Sequence, residues 1–152
     1  LIFGIGVDGT GTTVSSGGVG IGTATPASNA RLAIKDGHLQ VQQTTAPTVE
    51  SAVTYNAAIQ TLTNAAGVAD KATDVTGRVN ITTTAASGSV TFKFNKPYTV
   101  APVVVLTPTT ALAAADITKV TVSSTTTNFR VNFASSPAAG AHNFNYFVIE
   151  TQ

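Results

Sequence analysis

Side chains able to do acid–base or nucleophilic chemistry are few in this sequence, and they lie far apart. The carboxylates are Asp8, Asp36, Glu50, Asp70, Asp74, Asp116 and Glu150, and the imidazoles are His38 and His142. A glycosidase needs two carboxylates roughly 5 to 10 Å apart, and only Asp70 and Asp74 are neighbours in the chain. The acids fall mostly in turn-like stretches, so solvated turn positions are their expected role. No serine stands in a G-x-S-x-G context, which removes the nucleophile elbow. Gly4-Ile5-Gly6 and Gly20-Ile21-Gly22 lack the Lys-Ser/Thr and the following helix of a phosphate loop. Two separated histidines make no metal site within one chain, although three copies around an axis would bring like residues together. Exposed hairpin positions are the plainer expectation for both. The sequence therefore points to no catalytic residue, no resident metal and no cofactor. Recognition chemistry remains. Asp116, Lys119, Arg130, His142 and Asn143 lie in or near 107–118 and 135–143, read as Thr- and Asn-rich loops, and they are the candidate contacts to a glycan. Arg130 reads equally as a charge that keeps a surface soluble, and Tyr98 as a core residue.

Composition narrows the class. Only 10% of the 152 residues are charged and the net charge is +1, against about a quarter charged in an average domain. No basic run exists, so nucleic acid is not an expected partner. Thr and Val favour strands, and scarce Leu with no Met disfavours helical packing. The absence of Cys excludes a disulfide framework; it suits a secreted protein indifferent to redox conditions and equally a small cytosolic domain. No apolar run approaches the roughly 20 residues of a spanning helix, so membrane insertion is not expected. The chain opens on Leu1 with a stretch too short and Gly-broken for a signal peptide. It reads as the C-terminal piece of a longer polypeptide.

From residue 1 to about 37, glycine is dense and apolar residues are isolated. Phe3-Gly4-Ile5-Gly6-Val7-Asp8 and Val19-Gly20-Ile21-Gly22-Thr23-Ala24 echo each other, each setting one Ile between glycines. A turn at Thr25-Pro26 leads to a short strand at Arg31-Leu32-Ala33-Ile34. Asp36-Gly37 signals a hairpin, and 38–42 alternates polar with apolar. Such a segment buries too little to fold alone. Copies of itself around a threefold axis are the simplest partners. Val19 to Pro26 followed by Leu32-Ala33-Ile34 resembles the "VGIGTxxP…LxV" element in shafts of phage tail fibres and bacterial trimeric adhesins. The resemblance implies a trimeric shaft over 1–45, with linker composition around 42–51 and a tip domain over 46–152.

The tip is all-β in expectation. Val79/Ile81, Val90/Phe92/Phe94, Val120/Val122, Phe129/Val131/Phe133 and Phe144/Tyr146/Val148 each alternate with other residues, and turn-rich gaps separate them. Short alternating strands at this spacing predict an antiparallel sandwich of six to seven strands. Residues 49–62 are ambiguous and are read as strand. The run 103–106, apolar on both faces and flanked by Pro102 and Pro108, is expected to be a central strand. The last strand also carries Phe147 and Ile149 on its second face, which is read as a subunit contact. The block from Ser89 through Lys96-Pro97-Tyr98, Ala101 to Leu106, Val120 to Val122, Thr127 to Val131 and Phe144 to Glu150 is similar to phage tail-fibre C-terminal domains. It also resembles the H-type lectins, six-stranded trimeric sandwiches that bind N-acetylgalactosamine. The resemblance implies the fold and the trimer. It does not extend to the lectins' sugar site, whose aromatic platform falls here on Ser135-Ser136-Pro137. The expected function is a non-enzymatic homotrimeric tip on a virion tail or head fibre, attaching to a host-surface glycan or protein. A purely structural fibre or capsid-decoration trimer, and a bacterial extracellular adhesin of the same architecture, stay open.

Overall fold

Alternating side chains can hide one face of a strand only against a second sheet, and this requirement organises the larger part of the chain. The computed structural model describes residues 13–15, 18–21, 32–34, 41, 43–60, 62–63, 69–70 and 72–151. The chain divides into two units, Leu1–Gln40 and Val41–Gln152.

In the first unit β1 (Thr13–Ser15) pairs antiparallel with β2 (Gly18–Ile21), and β2 pairs parallel with β3 (Leu32–Ile34). The short strand expected at 31–34 is β3. The first glycine-flanked echo, the hairpin at Asp36-Gly37, and His38 lie outside the described residues.

The second unit runs β4 (Thr48–Val53), β5 (Asn56–Gln60), β6 (Leu62–Thr63), β7 (Ala69–Asp70), β8 (Thr76–Thr83), β9 (Gly88–Lys93) and β10 (Val103–Pro108). A helix α1 (Ala111–Asp116), a 3-10 turn (Ile117–Lys119), β11 (Val120–Ser124), β12 (Asn128–Phe133) and β13 (Gly140–Ile149) complete it. Two four-stranded antiparallel sheets result, ordered β10-β13-β8-β5 and β11-β12-β9-β4, beside a small β6-β7 pair. The inward residues are those the alternation selects. Val79 and Ile81 of β8 and Phe144, Tyr146 and Val148 of β13 face Val90 and Phe92 of β9 and Phe129, Val131 and Phe133 of β12. Phe129 meets Tyr146 across the sheets at 5.4 Å and Phe133 meets Phe144 at 6.4 Å, while Phe92 stacks on Phe129 at 5.0 Å. Each buried aromatic contributes on the order of 2 kcal/mol. The packing is tight enough that Gly77 must lack a side chain, since a Cβ there would sit 2.6 Å from the Tyr146 hydroxyl.

Several expectations are corrected. β10 is an edge strand, not a central one. It pairs only with β13, and Val103 and Val105 are 51% and 48% exposed. The ten residues of β13 and the eight of β8 take the central places, because they supply long inward rows that both neighbours can pair with. Residues 49–62 are not one strand. Thr54 adopts a left-handed φ of 73° and turns the chain, so β4 joins one sheet and β5 the other. Tyr55 drives that corner: its ring packs edge-on against Phe133 and its hydroxyl donates to the Ala86 carbonyl. Eight strands therefore form the sheets instead of six or seven. The stretch 107–118 is not all loop. Ala111 to Ala115 favour helix, and the Thr110 hydroxyl caps α1 by accepting from the Ala113 N–H at 3.2 Å. Finally, Asp74 and Asp116 are buried, not solvated, and His142 is buried inside β13, not exposed in a hairpin turn.

Candidate functional site

α1 ends on Asp116 and the 3-10 turn after it ends on Lys119, so the two side chains fall on one side, three residues apart. β13 brings His142 beneath them, and its pairing partner β8 brings Thr83 from its end. The Asp116 carboxylate accepts from Lys119 Nζ at 2.7 Å, from His142 Nε2 at 3.0 Å and from the Ala138 N–H at 2.7 Å. Lys119 and His142 beside it hold the Asp116 carboxyl well below the usual carboxylate range. Lys119 also donates to the Ser136 carbonyl at 3.0 Å, and the Thr83 hydroxyl donates to the Ala138 carbonyl at 2.5 Å. His142 Nδ1 lies 3.2 Å from the Gly140 carbonyl, and Phe133 covers the ring edge-on.

An acid, an imidazole and a hydroxyl in sequence have the outline of a nucleophile relay. The environment gives them another use. His142 is fully buried, the Thr83 hydroxyl is buried with its hydrogen on a carbonyl, and Asp116, Lys119 and Thr83 each bond the 134–139 loop. The cluster pins that loop to the start of β13. Among the described residues no three His, Cys, Asp or Glu side chains approach closely enough to hold a metal ion.

The five candidate residues thus fall in three places. Asp116, Lys119 and His142 come together, and of these only Lys119 keeps contact with solvent. Asn143, next along β13, points outward and accepts from Asn80 Nδ2. Arg130 is on the outer face of the other sheet, where Nη2 donates to Ser89 Oγ at 2.7 Å. Tyr98 packs against the core and donates to the Asp74 carbonyl at 2.9 Å, and burial, with Asp74 and Glu150 nearby, pushes its phenol up to about 12.

Asn143 has outer-face companions that the sequence did not single out as site residues. Pairing register sets them in rows across β10, β13, β8 and β5. One row reads Thr107, Asn145, Arg78, Gln60, and the next reads Asn143, Asn80, Ala58. Arg78 Nε donates to Asn145 Oδ1 at 3.0 Å. Beyond them toward the end of β13 the rows turn apolar, with Val105 beside Phe147 and Val103 beside Ile149, all four exposed. The alternation of Arg78, Asn80 and Thr82 with Val79 and Ile81 marked these as outward residues, but only the register shows which of them are neighbours. No family model, no curated protein and no solved structure matches this chain.

Proposed function

We propose that this chain is the distal part of a homotrimeric, non-enzymatic fibre, a glycine-rich shaft followed by a β-sandwich tip of the H-type-lectin kind that attaches to a host-cell surface. A virion tail or head fibre is the setting that the shaft-like element Val19 to Pro26 favours. One observation supports the trimer above others: Val103, Val105, Phe147 and Ile149 form an exposed apolar quartet on one face of a chain with very few charges. Exposed apolar patches of this kind mark contact surfaces, and a second copy of the chain is the occupant that fits a fibre. Three copies on one rigid tip raise avidity without any single strong contact. The purely structural cap stays as the second reading, favoured by the interior placement of Asp116 and His142. Light scattering on the purified chain is expected to give about three times the 15.4 kDa chain mass. A well-folded monomer would sink the trimer. Adhesion of labelled protein to intact cells separates attachment from a cap, which binds none.

A further inference from the structure

We propose that the proton on His142 Nδ1 is a pH-sensitive switch for the 134–139 loop: with the proton in place Thr83 ties the loop to β8, and without it that tie is given up. The inference stands apart from the attachment reading.

Both ring nitrogens of His142 face acceptors. Nε2 lies 3.0 Å from Asp116 Oδ2, part of a carboxylate paired with Lys119, and Nδ1 lies 3.2 Å from the Gly140 carbonyl. The ring is fully buried, so solvent does not stand in for either partner. A carboxylate and a carbonyl can only accept, and an imidazole donates from both nitrogens only when both carry protons. The hydroxyl nearest to Nδ1 is that of Thr83 at 3.5 Å, and its hydrogen is on the Ala138 carbonyl at 2.5 Å. This is the hydrogen-bond pattern of the doubly protonated ring.

Loss of the Nδ1 proton to water turns that nitrogen from a donor into an acceptor, while Nε2 keeps its hydrogen on Asp116. The Nδ1 lone pair then opposes the Gly140 carbonyl in an interior where an unpaired acceptor is costly. Thr83 is the hydroxyl in reach, and a threonine hydroxyl has one hydrogen. It cannot serve Nδ1 and Ala138 at once. Satisfying the ring therefore frees the Ala138 carbonyl, while the Ala138 N–H stays on Asp116 and Lys119 stays on the Ser136 carbonyl. The loop loses one tether of several, so it loosens without leaving. Among the described residues, Asp116 and Lys119 are the charged side chains in ion-pair contact at this cluster; Thr83 from β8 and Phe133 from β12, which also meet the ring, are uncharged. Carboxylates and ammoniums change charge well outside the range in which imidazoles do, so neither neighbour mimics the switch.

The full 152-residue chain, labelled with 15N and 13C, is titrated from about pH 5 to about pH 9, a span that brackets the imidazole range. Long-range 1H–15N NMR reads the proton on each His142 nitrogen. Hydrogen exchange at the Ala138 N–H, corrected for the intrinsic pH dependence of exchange, reads loop opening. Both nitrogens are expected to be protonated at the acid end, with Nδ1 losing its proton as pH rises. Opening at Ala138 is expected to increase at least threefold with the same midpoint, and the Ala138 carbonyl 13C shift to move with it. Thr83→Ser keeps the hydroxyl and is expected to retain the coupling. Thr83→Val is expected to leave the ring's titration in place and to abolish the change at Ala138. A ring whose protonation is constant across this range overturns the proposal. So does a ring that titrates while Ala138 stays flat, or a coupling that survives in Thr83→Val. If Thr83→Val does not fold, the midpoints decide: coincident ring and Ala138 midpoints in both the unaltered chain and Thr83→Ser support the switch, and separate midpoints overturn it.

Discussion

β8 and β13 lie side by side through the middle of their sheet, and each end of the pair is held by one buried carboxylate. The two ends solve the same problem differently. At the start of β8, Asp74 accepts from neutral groups: Gln43 Nε2 at 2.9 Å, the Asn95 N–H at 2.7 Å and the Lys96 N–H at 2.9 Å. Gln43 closes the pair by accepting from the Asp74 N–H. At the far end, Asp116 accepts from an ammonium and an imidazole as well as one peptide N–H. Peptide and amide donors bring no charge of their own into the interior. The Lys119 ammonium does, so removing the acid leaves that charge, the buried His142 ring and one peptide N–H without their shared acceptor. The comparison teaches that equal burial does not mean equal sensitivity.

The largest effect is expected from Asp116→Leu, which leaves Lys119, His142 and the Ala138 N–H without their shared acceptor. It should cost roughly 3 to 5 kcal/mol in denaturant unfolding, and Asp74→Leu should cost less, about 2 to 3 kcal/mol. A reversed order would break the contrast between the ends. Acid titration sharpens it. The folded Asp116 pKa lies below its unfolded value of about 4, so its stabilisation is complete above that value and is lost as pH falls below it. Stability should decline from about pH 4 downward, and Asp116→Asn should remove that part of the slope. A slope unchanged in this variant would place the acid sensitivity elsewhere. The smallest effect is expected from Gln43→Ala, which removes two bonds at a half-buried position and should cost about 1 kcal/mol.

Much of this architecture was legible beforehand, because a period of two is a local property. Every pair named from alternation in β8, β9, β12 and β13 faces the core. What was not legible depends on partners far along the chain. Val103 to Leu106 looks central because its residues are apolar on both sides, but whether a second neighbour exists is decided by β8 and β13, not by β10. The burial of Asp116 follows from Ala138 and His142, more than twenty residues away. Tyr55 signals the β4–β5 corner only once Phe133 is known to wait opposite it. The outer-face rows are hidden for the same reason: Arg78 and Asn145 are 67 residues apart and meet only through register.

Edge position also has a consequence for molecules crowded together. β10 offers open peptide groups along one side, a template on which a strand from another molecule can add. Pro102 and Pro108 bracket that template, which keeps it short, and neither has an N–H to offer. On the opposite flank β4 shifts register between Val49 and Ser51, which leaves the charged Glu50 as the odd residue out. Unscheduled knitting of one molecule to the next is thereby discouraged at both margins, and dense arrays can stay orderly without tangling.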